Sequence, residues 1–283
     1  MSRGARRGWR FRWMGGAAVR GLCAAGAVGL AASANAAPRT ASPAEEAVGA
    51  PAADAAADDL DAPEPPPLPD PAGAKRLPPP DRVWVDVPRK QVYVDGFISL
   101  REGYLEMFAC KKGTKEHESI VALQANAYVI HAALLAVGAL PGSPVKFQPK
   151  FAPPSGAEIE VEVRWLDAAG RWQSARAQQW IRDAETGQPM QQSWVFAGSG
   201  MWKDEQSGKN YYMAEAGDVI CVSNFGSAML DVPVESSQSN EGLLFEANAE
   251  AIPPLGTPVR IVLTPKAGPP AGQPTAVGDK AAR

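Results

Sequence analysis

Glu158-Ile159-Glu160-Val161-Glu162-Val163-Arg164-Trp165 alternates a charged residue with an apolar one at every step. A period of two is the mark of a half-buried strand, so Ile159, Val161, Val163 and Trp165 are expected on a core face and the charged residues in water. Residues 167–171 then turn the chain. A five-residue loop there brings Arg176 back opposite Glu162, with Ala175 and Ala177 facing inward, which pairs opposite charges on the wet side. In this register Trp172 and Trp180 fall on the face opposite Trp165.

Moving outward, Val83-Trp84-Val85-Asp86-Val87 and Gln91-Val92-Tyr93-Val94-Asp95-Gly96 read as a hairpin around Pro88-Arg89-Lys90. A strand is expected over 104–110. Residues 123–137 (LQANAYVIHAALLAV) are apolar nearly all round and stop at Gly138 and Pro141-Gly142, which predicts a buried helix. Further strands are expected over 194–201, 211–214, 218–223, 243–249 and 258–264, separated by turns at Thr186-Gly187 and at residues 207–210. The pattern as a whole predicts a single α+β domain over 81–265, a mostly antiparallel sheet meander packed on one long buried helix.

The flanks are of another kind. Arg3, Arg6, Arg7, Arg10, Arg12 and Arg20 precede a small apolar run and then Ser33-Ala34-Asn35-Ala36, which predicts a signal peptide over 1–36 with cleavage after Ala36. Residues 37–80 are rich in Ala, Pro and acids and predict a disordered linker, as do residues 266–283 for a disordered tail. The expected location is therefore periplasmic or extracellular, with membrane contact only through an uncleaved leader. The leader takes six of the 28 basic residues and none of the 31 acids, leaving 22 bases against 31 acids. A nucleic-acid partner does not fit that balance.

Cys110-Lys111-Lys112-Gly113-Thr114-Lys115-Glu116-His117-Glu118-Ser119, HAALLAVGALPG from His131, WVFAGSGMWKD from Trp194 and DVICVSNFGSAMLDVPVESS from Asp218 together resemble the exported YdjY-domain proteins. The likeness runs from about Val83 to Pro265. It implies a family without an assigned activity. Some relatives carry a ferredoxin-like label, which implies an iron–sulfur cluster. Such clusters are generally held by four cysteines, and here only Cys110 and Cys221 lie beyond the leader, so no cofactor is assigned.

Two cysteines in an exported chain suggest a Cys110–Cys221 disulfide, with buried free thiols or metal binding as the alternatives. The loop Gly113, Thr114, Lys115, His117, Glu118 and Ser119 follows a strand and is the expected ligand-binding loop. Cys110, His117 and Cys221 form the alternative metal or redox set. His117-Glu118 begins like H-E-x-x-H, but Val121 stands where the second histidine belongs. His131 on an apolar helix reads as a satisfied core residue. Gly198-Ser199-Gly200 lacks the outer glycines of a nucleophile elbow, because Ala197 and Met201 take those places. The cluster Trp165, Trp172, Trp180, Trp194, Trp202, Tyr211 and Tyr212 is either core or a stacking platform. No catalytic residue is assigned. The function expected is a tethered extracytoplasmic binding or interaction module for an envelope protein or a small ligand, and the alternative is a metal- or redox-linked protein, possibly an enzyme.

Overall fold

The computed structural model describes residues 66–236 and 243–266. The expected leader, most of the linker and the tail from residue 267 lie outside them. Eight strands form the frame: β1 Gln91–Ile98, β2 Met107–Lys111, β3 Ser119–Leu123, β4 Glu158–Leu166, β5 Trp194–Phe196, β6 Ile220–Cys221, β7 Leu230–Asp231 and β8 Pro258–Pro265, with one helix, α1 Ala127–Ala136, between β3 and β4. Their order is β1-β8-β4-β5-β7-β6-β2-β3, and β3 pairs back onto β1, so the sheet closes into a barrel. Pairings are antiparallel except β6 with β7 and β2 with β3.

This corrects the α+β expectation: the domain is mostly β, and its helix has ten residues instead of fifteen. The difference begins at Ser119-Ile120-Val121-Ala122-Leu123. Its β-branched residues favour strand over helix, and as β3 they are buried between β1 and β2 at the closing seam. There Gly96 lets the backbones meet, since a Cβ at this position would sit 2.4 Å from the Ala122 carbonyl oxygen. The helix starts only after Asn126, whose N–H donates to Asp81 Oδ1 at 2.6 Å. One side, including Ile130, Ala133 and Leu134, is buried, while Tyr128 and Leu135 are exposed. Its end is a Schellman turn, with Ala139 N–H on the Leu134 carbonyl, Gly138 N–H on that of Leu135, and Gly138 at φ 86°.

The alternation of β4 holds as read. Ile159, Val161 and Val163 are buried with Val92, Val94, Val259, Ile261 and Leu263 in the main core, and Trp165 packs against it. The strand Trp172–Arg176 returns along β4 with Glu162 opposite Arg176 and Val163 opposite Ala175. Trp172 lies exposed as expected, but Trp180 is buried against Trp165 and Phe108, because the chain turns through a 3-10 helix, Ala177–Trp180, and leaves the strand alternation there.

Residues 66–80, which composition assigns to the linker, are laid along the barrel. Lys75–Arg76 pairs with Val83–Asp86, a further strand outside β1. Leu68 is buried, and the carbonyls of Leu68 and Pro69 accept from Arg82 and Arg260. Both arginines also grip the buried carboxylate of Asp95, Arg260 through two bonds of 2.6 and 3.0 Å. This strap completes a buried charge cluster that its own composition did not announce.

Candidate functional site

A groove of about 660 Å³ lies between α1 and the hairpin formed by Met201–Lys203 and Asn210–Tyr212. Tyr128 and His131, three residues apart on α1, form one wall. Met201 and Tyr211 line the other, Gly198-Ser199-Gly200 make the floor, and Glu215 sits at one side. Tyr128, Met201 and Tyr211 are all exposed, as is Trp202, whose ring lies 5.6 Å from that of Tyr211.

The floor is a strained turn held from several sides. Ser199 has φ +58°, a left-handed value uncommon outside glycine, and follows Gly198 at +87°. A Cβ on Gly198 would also press on Pro141 at 2.9 Å. The Ser199 hydroxyl donates to the Ser227 carbonyl at 2.7 Å and accepts from Ala214 N–H at 3.1 Å. The hydroxyl thus ties the turn to backbone on both sides, and the residue works as a staple.

Tyr212 Oη lies 2.8 Å from His131 Nδ1 and 3.2 Å from the Gly198 carbonyl. Assigning the phenol proton to that carbonyl makes Nδ1 the imidazole donor and leaves Nε2 as an acceptor. The imidazole packs edge-on to Phe196 and Tyr212, with centroids 4.8 and 5.4 Å away. Burial lowers the His131 pKa, so the ring is neutral at neutral pH. Burial likewise raises the Tyr212 phenol. Glu215 Oε1 accepts from Tyr128 N–H at 2.9 Å in the first turn of α1, and Oε2 pairs with Lys111 at 2.7 Å. Asn126 makes no side-chain cap, so Glu215 supplies the helix cap from another part of the chain.

The residues singled out in sequence go elsewhere. Cys110 and Cys221 are both buried free thiols, which corrects the expected disulfide. Cys221 of β6 pairs with Met107 of β2, three residues from Cys110. At roughly 3.3 Å per residue that is an offset of about 10 Å along the strand, beyond the ~7 Å Cα limit for a bridge. Burial pushes both thiols above their ordinary value, for Cys221 with the charge of Asp231 adding to it. The side chain of His117 is exposed. Among the described residues no group of three or more His, Cys, Asp or Glu is placed to hold a metal ion, so Cys110, His117 and Cys221 are not brought together as a ligand set.

Within the loop following β2, Gly113 N–H donates to Glu116 and Thr114 Oγ1 to the Lys111 carbonyl. Lys115 turns inward to Asp218 at 3.0 Å, with Glu118 and Glu106 at 3.6 and 3.8 Å and the Phe225 ring 4.6 Å below. The loop's polar groups are therefore largely occupied by one another. Nearby, Asp231 is fully buried, and burial raises its pKa to about 7. The sequence did single out four residues of the groove, His131, Ser199, Tyr211 and Tyr212, but without joining them. Tyr128 and Glu215 carried no signal, because a lone exposed tyrosine and a lone glutamate are ordinary surface residues.

The YdjY domain family matches residues 83–264, and the chain belongs to that family. No curated protein and no solved structure matches it.

Proposed function

We propose that the chain is an exported binding module whose YdjY domain takes its ligand in the groove between α1 and the Met201–Tyr212 hairpin. The observation that carries this reading is the contrast within the groove: exposed aromatic walls above a floor whose polar groups are fixed by hydrogen bonds to backbone. Rigid aromatic side chains around a few oriented polar atoms are the usual composition of a small-ligand site, and strained backbone at such a floor favours a functional reading. A flat apolar body with one N–H or O–H donor suits it, the donor meeting His131 Nε2. Export rests on the basic and then apolar leader ending at Ala36.

Saturation-transfer NMR together with protein-observed NMR on the full mature chain with benzamide, indole and N-acetyltyrosinamide tests the site. Saturation transfer to at least one probe is expected, with shifts at His131 and Tyr211 that vanish in Tyr211→Ser. Shifts confined to other surfaces, or no transfer to any of the three, would remove the groove from consideration. Amino-terminal sequencing of the envelope fraction should read Ala37-Pro38-Arg39. An intact Met1 on a cytosolic form would overturn the export.

A further inference from the structure

We propose a second binding site, for an uncharged oligosaccharide, on the outer face of the barrel where β1, β8 and β4 run side by side. The groove there measures about 820 Å³, and residues 69–72 of the strap close it on one side while Trp172 stands on the other. Outward-facing positions align across the strands, Asp95 beside Arg260, Arg260 beside Arg164 and Arg164 beside Ser174. The face is therefore a ladder of planar polar side chains next to one exposed indole, a different surface from the apolar groove at α1.

Charge decides the ligand class. Every arginine lining this groove already has its carboxylate: Arg260 with Asp95 at 2.6 Å, Arg164 with Glu162 at 2.7 Å and Arg89 with Asp86 at 2.7 Å. An anionic ligand would have to compete with an existing ion pair and would meet Asp70 on the strap, and a cationic one would meet three arginines. A hydroxyl group has no such conflict, because it donates and accepts at once. Arg164 Nε and Nη2 already donate to the two oxygens of Glu162, and each of those oxygens keeps a further lone pair. Tyr93 donates to Gln91 Oε1 at 2.6 Å, which orients the Gln91 amide and leaves its NH₂ as a donor. Adjacent acceptors and donors fixed in a plane match vicinal hydroxyls of a sugar ring, and the apolar C–H face of that ring stacks on an indole.

Trp172 is held ready for stacking. It is 47 % exposed, and the Arg260 guanidinium carbon lies 6.0 Å from its centroid. Arg260 and Tyr93 are themselves buried, so the base of the groove is built before any ligand arrives.

Isothermal titration of the full mature chain with cellohexaose, chitohexaose and maltohexaose tests the site, with a heparin hexasaccharide as charged comparison. At least one neutral hexasaccharide should bind with a Kd of about 1 mM or tighter. Trp172→Ala should weaken it by about tenfold, the loss of one stacking contact, while Trp172→Phe stays within about threefold. Gln91→Ala, which removes no packing of the core, should also weaken binding and serves as the second variant if Trp172→Ala does not fold. Tyr211→Ser, in the groove at α1, should leave the affinity unchanged. No binding by any of the three sugars, undiminished binding in both Trp172→Ala and Gln91→Ala, or a preference for the heparin fragment would each overturn the proposal.

Discussion

Replacing Asp231 by Asn should change how the stability of the domain depends on pH. The carboxyl is fully buried. Its Oδ1 accepts from Asn224 Nδ2 at 3.1 Å and from Val232 N–H at 2.8 Å. Burial raises the pKa from 3.8 to about 7, with the charge of Asp218 adding to it and the bonds from Asn224, Val232 and Phe225 opposing it. The folded state therefore holds a proton that the unfolded chain releases near pH 4, so this group lowers stability as pH rises between those two values, with no further loss once pH is well above 7. Integrating that difference gives a loss of about 2 to 3 kcal/mol from about pH 5 to about pH 8. Asparagine keeps the accepting oxygen and cannot ionise. Urea denaturation at stepped pH should show the variant close to wild type at pH 5 and gaining on it by that amount at pH 8. Glu106, also raised by burial and next by the charge of Glu118, gives both proteins a slope of the same sign, so the difference between the two curves isolates Asp231. Parallel curves over this range would refute the assignment of a buried protonated acid.

Asp95→Ala leaves two arginines, Arg82 and Arg260, facing each other without their shared carboxylate; a loss of about 3 to 5 kcal/mol in denaturant midpoint experiments is expected. Gly96→Ala forces a Cβ against the Ala122 carbonyl at the closing seam and should cost about 3 kcal/mol or yield insoluble protein, whereas Gly103→Ala, with open space around it but a positive φ, should cost less in the same thermal melts. Cys110 and Cys221 should resist a thiol reagent in the native protein and react together in guanidinium, with no change in melting temperature on adding reductant. Glu215→Gln weakens the tertiary cap of α1 and its pair with Lys111, and should lower stability by about 1 kcal/mol without abolishing folding.

Individual strands were legible where one face is wet, but the closure of the sheet into a barrel was not. The strict alternation of residues 158–165 gave both the inward set and the pairing of Glu162 with Arg176, because a one-residue slip would turn every apolar side chain outward. Legibility failed where strands are buried on both faces or are very short. Ser119–Leu123 has no alternation, since all five residues are buried, and its first four residues read as the connection before the helix and Leu123 as the start of that helix. Leu230–Asp231 is two residues long and offers no period at all. Trp180 was misplaced because a 3-10 turn resets the phase of the chain. At the groove, the turn at Ser199 was visible as two glycines around a serine. Tyr128 and Glu215 reach it through the packing of α1 against the segment Met213–Ala216 and through the bonds of Ala214 N–H to Ser199 and of Tyr128 N–H to Glu215, which no local pattern encodes.

The seam between β1 and β8 joins residues far apart in the chain; Asp95 and Arg260 are separated by 165 positions. A polypeptide emerging amino-terminus first cannot complete its ring until its final strand is available. Until then the free margins of β1 and β4, both destined to flank β8, stand open to pairing with other chains. Topology of this kind makes for slow maturation, with most of the delay in the last ligation of strands. Truncation ahead of Pro258 would leave that vulnerability permanent, and a nascent chain held unfolded until synthesis ends would be spared it.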